Sequence, residues 1–215
     1  MKIKVCGMRD VQNIRALVNL HPDYIGLIFY SGSKRFVNKM DTQALIEVPE
    51  DINLTGIFVN ENLEIVLEKI SSYKLKAIQL HGDESPEYCR SLGDQVKTIE
   101  IIKAFGIDDN FDFSALEPYL RVVDFFLFDT KTSGHGGSGK AFNWDILNKY
   151  PYQKPYFLSG GIGVENLDEV LAISDERLHA LDLNSRFEVE PGLKDISKLN
   201  LTFNKLNPGR EQEDI

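Results

Sequence analysis

Eight short apolar runs, rich in β-branched and aromatic residues, recur along the chain and are separated by longer polar or amphipathic stretches. They are Ile3–Val5, Tyr24–Phe29, Leu54–Val59, Ala77–Leu80, Val96–Ala104, Val123–Phe128, Pro155–Leu158 and His179–Leu183. Runs of this length fit buried strands. Val11, Ile14, Leu17 and Val18 carry helical spacing, as do Leu63, Val66, Leu67 and Ile70, and Asn60-Glu61 and Asp83-Glu84-Ser85-Pro86 read as helix starts. Strand followed by helix, repeated throughout, predicts a parallel sheet covered by helices. Eight such units in 215 residues predict an α/β fold, a single-domain (β/α)8 barrel over residues 1–207, near the lower end of length for that architecture. An open doubly wound sheet is the alternative, and no G-x-G-x-x-G follows the first run to support its dinucleotide-binding form. The acidic tail at residues 208–215 lacks apolar periodicity and is expected to be disordered.

Charge and cysteine content exclude several classes of function. Acidic residues outnumber basic ones, 33 to 24, and the basic ones are scattered, so a nucleic-acid partner is not expected. No apolar run is long enough to span a bilayer, and the first residues enter an apolar alternation without a signal-type segment, so no membrane partner and a cytoplasmic location are expected. Cys6 and Cys89 are the two cysteines, expected as reduced thiols. His21, His81, His135 and His179 lack metal-ligand spacing, and no metal site is predicted.

In a barrel, chemistry gathers where the strands end, so the residues after each run form one set. Cys6 and Asp129 stand at the tips of the first and sixth runs, a potential thiolate base and a carboxyl acid. The same set includes Arg35, Gln79, His81, Ser159–Gly161 and Asp182–Ser185. Glycine lets backbone N–H groups approach an anion, and loops after the last two strands of a barrel commonly form a phosphate cup. Gly160 and Gly161, with Asn184 and Ser185, occupy that place, so a phosphorylated small molecule is the predicted ligand.

These residues resemble the phosphoribosylanthranilate isomerase family. The resemblance is carried by Lys4-Val5-Cys6-Gly7-Met8, Gly26-Leu27-Ile28-Phe29, Ser33-Lys34-Arg35-Phe36-Val37, Gly56–Asn60 and Ile78–Glu84. It continues through Asp129, Gly136–Gly139 with Phe142–Trp144, Ser159–Ile162 with Asn166, and Asp182–Ser185 with Glu188 and Gly192–Asp195. It implies an Amadori rearrangement of N-(5′-phosphoribosyl)anthranilate to the 1-deoxyribulose aminoketose phosphate, with Asp129 as acid, Cys6 as base and no cofactor. Arg35 would hold the anthranilate carboxylate and the glycine loops the phosphate. Asp182 either meets the substrate nitrogen or caps the following turn. Gln79 and His81 either orient the substrate or line the barrel mouth.

The chain departs from the family pattern at Ser185-Arg186-Phe187-Glu188, where Ser-Gly-Val-Glu is usual. If that position needs a left-handed backbone, Arg186 is strained; if not, its guanidinium reaches the phosphate. Other phosphosugar barrels, an indole-glycerol-phosphate synthase or a pentose phosphate epimerase, would call for a catalytic lysine or metal-binding histidines. A non-catalytic phosphosugar-binding descendant would not need Cys6, Asp129 and Arg35 together. A monomer is expected, a homodimer being the alternative.

Overall fold

The computed structural model describes residues 1–38, 40, 45, 47–131 and 142–208. Eight parallel strands pair each with the next, and the first pairs with the last to close a barrel. They are β1 (Lys2–Val5), β2 (Tyr24–Ile28), β3 (Asn53–Phe58), β4 (Ala77–Leu80), β5 (Glu100–Ile107), β6 (Phe125–Thr130), β7 (Tyr156–Leu158) and β8 (Leu178–Leu183). A two-stranded hairpin, β9 (Glu188–Glu190) and β10 (Leu193–Lys194), follows β8. The α-helices are α1 (Val11–Val18), α2 (Leu63–Tyr73), α3 (Pro86–Gln95), α4 (Leu167–Leu171) and α5 (Ile196–Leu206).

Each apolar run yields a strand, but the fifth is two pieces. Val96 closes α3 by donating its N–H to the Leu92 carbonyl, and β5 begins at Glu100. Two apolar stretches that abut cannot be separated by periodicity alone. Ser85 caps α3 as the sequence predicts, its hydroxyl accepting the Tyr88 N–H at 3.2 Å with Pro86 in the first turn. Asn62, rather than Asn60-Glu61, starts α2. The alternation of strand with α-helix is looser than expected: β5 and β6 are followed by 3-10 helices, Phe113–Tyr119 and Trp144–Lys149. Pro118 inside the first of these removes a backbone donor that a longer α-helix would need. The predicted tail falls almost wholly on residues 209–215, outside the described residues; Pro208 stands in a turn after α5.

Strand alternation divides the apolar residues between two cores. Ile3, Val5, Ile25, Leu27, Leu181 and Leu183 face outward and pack with Ile14 and Leu17 of α1 and Leu199 and Phe203 of α5. Each such fully buried side chain contributes about 1.5–3 kcal/mol. Tyr24, Ala77, Ile102, Ala104, Leu127, Phe157 and Ala180 turn inward and fill the barrel as a layer. A smaller inward cluster contains Cys6, Ile28 and Ile57. The barrel is therefore plugged, and its polar inward residues are gathered at the strand ends. Among the described residues no helix is long and apolar enough to cross a membrane.

Candidate active site

The carboxyl ends of the strands open on a cavity. Cys6, Arg35, Gln79, His81, Asp129, Gly160, Gly161, Asp182, Asn184 and Ser185 all line it, with Ile28, Tyr30, Ile57 and Val59 forming an apolar wall. Every candidate drawn from the sequence except Arg186 is thus brought to one place.

Cys6 follows β1 and is 3% exposed. Its position depends on Gly26 of β2. A β-carbon on Gly26 would stand 2.8 Å from Cys6 Sγ and 3.0 Å from Cys6 Cα, so only glycine leaves room for the sulfur. Gly26 also accepts the N–H groups of Gly7 and Met8 at 3.0 Å, which turns the chain sharply after the cysteine. Gly7 sits at φ +79°, a conformation suited to glycine. Burial, with Asp182 adding to it, pushes the Cys6 thiol above its ordinary value, and Lys4 and Lys194 offset only part of that rise. Cys89 is a buried free thiol in α3, pushed up by burial to about 11, which fits a structural place in the core.

Asp129, on β6 across the barrel mouth from β1, accepts the Thr130 N–H at 2.7 Å through Oδ1. Its Oδ2 lies 3.6 Å from Nε2 of His81. The Gln79 amide donates to His81 Nδ1 at 2.7 Å, which places the proton of a neutral imidazole on Nε2, toward Asp129. Gln79 Oε1 is buried without a partner among the described residues, leaving an acceptor beside the cavity. Gly160, at φ +87°, packs against this carboxylate: an added β-carbon would stand 2.4 Å from Thr130 Oγ1 and 3.0 Å from Asp129 Oδ1.

Arg35 is held by a carboxylate whose role the sequence reading left unassigned. Nε donates to Glu188 Oε1 at 2.8 Å and Nη2 to Oε2 at 2.7 Å, a bidentate pair formed by one edge of the guanidinium. The other edge, with Nη1, takes no part in this pair. Glu188 also accepts from Lys194 Nζ at 2.6 Å and from the Gly192 N–H at 3.0 Å. Burial works against the Glu188 carboxylate, but Arg35 and Lys194 outweigh it and hold its pKa below the ordinary value. Lys194 donates in addition to Asn184 Oδ1 at 2.8 Å, and Asn13 of α1 clasps the Lys194 backbone through both its N–H and its carbonyl. The hairpin is thereby a brace for Arg35 and Asn184. A second unassigned residue is Lys4, fully buried and paired with Asp182 at 2.8 Å. A lysine between Ile3 and Val5, on the same strand face as Cys6, was the signal for it.

At the opposite rim, Asn166 shapes the glycine loop by accepting the Gly163 N–H at 2.8 Å and donating to the Gly161 carbonyl at 2.9 Å. Gly160 and Gly161 both have positive φ, and a 3-10 turn, Ser185–Phe187, begins where β8 ends. Arg186 stands apart from the others. Its backbone is not left-handed, so arginine is unstrained there, and its guanidinium pairs with Glu165 outside the cavity lining. The other glycine-rich stretch, residues 133–139, lies outside the described residues.

The family model described as N-(5′-phosphoribosyl)anthranilate (PRA) isomerase matches residues 3–205. The chain belongs to this family. A relative from Parabacteroides distasonis, N-(5′-phosphoribosyl)anthranilate isomerase, is 47% identical over 214 residues, covering 98% of this chain and 96% of its own. Among solved structures of the family, the phosphoribosyl anthranilate isomerase of Thermus thermophilus superposes with a TM-score of 0.81 at 29% identity, over 98% of this chain and 100% of that one. Another, in complex with reduced 1-(o-carboxyphenylamino)-1-deoxyribulose 5-phosphate, gives a TM-score of 0.80 at 27% identity, over 97% and 99%.

Proposed function

We infer that this barrel is a phosphoribosylanthranilate isomerase of tryptophan biosynthesis, converting N-(5′-phosphoribosyl)anthranilate to its 1-deoxyribulose aminoketose. The observation that carries the assignment of roles is the convergence of Cys6, Asp129 and the Arg35–Glu188 pair on the cavity that the glycine loops also line. Asp129 gives a proton to the ribose ring oxygen, and the sugar opens to a protonated Schiff base. Cys6, as thiolate, takes the C2′ proton, and the resulting enolamine becomes the ketose as C1′ gains hydrogen. The rearrangement is redox-neutral, so two proton carriers suffice. The free edge of Arg35 receives the anthranilate carboxylate, and Ile28, Ile57 and Val59 face its ring.

Backbone amides of Gly160, Gly161 and Ser185 receive the phosphate, at the positive-φ loop after β7 and the turn after β8. His81 orients Asp129 through Nε2, and Gln79 fixes the imidazole. Asp182 acts from below, through Lys4. Among the described residues the exposed large apolar side chains, Met1, Ile65, Val164, Leu171, Val189 and Leu201, are spread over separate elements, which supports a monomer, read by sedimentation. A soluble phosphorylated substrate supports a cytoplasmic location.

Loss of substrate fluorescence tests the assignment. Cys6→Ala and Asp129→Asn are each expected to lower kcat by about 10² to 10⁴-fold with folding intact. Near-normal turnover in either would remove that residue from the chemistry.

A further inference from the structure

Lys4 is the most deeply buried cation near the reacting groups: its side chain is 0% exposed and lies inside the barrel wall. β1 places Lys4 and Cys6 two residues apart, hence on one face, and β8 brings Asp182 directly beside Lys4 in register. Lys4 Nζ donates to Asp182 Oδ1 at 2.8 Å. One carboxylate oxygen does not use three ammonium protons, and the ammonium shares its strand face with the Cys6 sulfur, whose charged form it favours. A sulfur only 3% exposed, set among Ile28, Ile57 and Tyr30, is poorly placed for solvent to stabilise an anion, so a nearby cation matters.

We propose that Lys4 is the positioning residue that makes Cys6 a base: its ammonium, anchored by Asp182, offsets the burial that disfavours a thiolate at the floor of the cavity. The proposal rests on the reading of Cys6 as the base. The charged groups around the sulfur are Lys4 on β1, Asp182 on β8, Lys194 on β10 and, through its guanidinium, Arg35. Asp129 and His81 face Asp182 from β6 and the end of β4. Burial disfavours the Lys4 ammonium, yet Asp182 and Cys6 more than offset it and its pKa lies above the ordinary value. Lys4 therefore keeps its protons through the cycle. The thiolate takes the C2′ proton and becomes a thiol, and Lys4 then favours return of that proton.

The test is a pH titration of the Cys6 thiolate by ultraviolet absorbance, taken as the difference from Cys6→Ala, together with the pH profile of kcat/KM. In Lys4→Gln, the thiol midpoint and the acidic limb of the profile should both move up by about 1–3 units. Lys4→Arg should restore most of the shift. The double variant Lys4→Gln/Asp182→Asn, which leaves no buried charge at the pair, covers the case in which Lys4→Gln does not fold. Lys4 acts on the sulfur more strongly than Asp182 does, so the midpoint should still rise, by less. Midpoints unmoved in these variants, with only thermal stability lowered, would reduce Lys4 to a structural ion pair. Failure of the base reading looks different: Cys6→Ala would keep its turnover while the thiol midpoints still moved.

Discussion

The interior of the barrel is polar at both ends, and the two ends treat their polar groups differently. At the amino ends of the strands, Tyr24 and His179 meet among rings, with Glu100 beside Tyr24. Tyr24 OH and His179 Nε2 are 3.1 Å apart, and the imidazole lies tilted at 4.4 Å from Phe125 and 5.3 Å from Phe157. Burial leaves Tyr24 and His179 uncharged near neutral pH, His179 pushed down to about 4 and Tyr24 pushed up, and it raises the pKa of Glu100 as well. At the carboxyl ends the groups are charged, in the pairs Lys4–Asp182, Arg35–Glu188 and Lys194–Glu188. Neutral groups close a barrel quietly. Fixed charges facing a cavity supply a preorganised field, and removing one member of a buried pair costs about 3–5 kcal/mol. Substitutions at the carboxyl end should therefore act on catalysis, and those at the amino end on stability alone.

Gly26→Ala should give the largest effect of those that sharpen this contrast. The new methyl group displaces Cys6 Sγ, and a misplacement of that order costs about 10²-fold in kcat. Stopped-flow turnover measures it, and a kcat within twofold of the unsubstituted enzyme would show that the sulfur tolerates movement. Glu188→Gln comes next. It leaves Arg35 and Lys194 without their shared carboxylate, so KM should rise about tenfold with kcat less affected, and thermal stability should fall. Steady-state kinetics with a melting curve separates the two consequences; a drop in kcat at unchanged KM would contradict the role given to Arg35.

The amino end is broken by His179→Phe. In the fold this imidazole takes its proton only near pH 4, against 6.5 for an ordinary histidine, so the unfolded chain binds more protons across that interval. Stability therefore falls as pH falls from 6.5 toward 4. His179→Phe should flatten the dependence of Tm on pH in that window while leaving turnover unchanged, and calorimetry at several pH values reads it. The smallest effect is expected from Arg186→Ala, which removes an exposed ion pair with Glu165: stability should stay within about 0.5 kcal/mol, with KM unaltered at low and high salt. A raised KM would return Arg186 to the phosphate site.

The eight strands were legible because each is a short apolar run closed by small or polar residues. The place of Cys6, Arg35, Asp129 and the glycine loops followed from their position after those runs. The fifth run misled because Val96 and Ile101 belong to different elements with similar chemistry. The braces were harder to see. Glu188 and Lys194 act on Arg35 through a hairpin whose strands have three and two residues, too short for any periodicity. Lys4 looks like a surface residue until its strand is known to be the seam between β2 and β8. The pairing of Arg186 with Glu165 was not legible because Glu165 belongs to another loop, and a sequence does not show which loops meet.

The Lys4–Asp182 bond joins residues 178 positions apart across the closure of the ring. During synthesis this contact cannot form until nearly the whole chain has left the ribosome. A nascent chain ending before β8 has the cysteine but lacks the strand that anchors its cation. Catalytic competence therefore arrives with topological completion, and reactivity at Cys6 reports when the ring has shut.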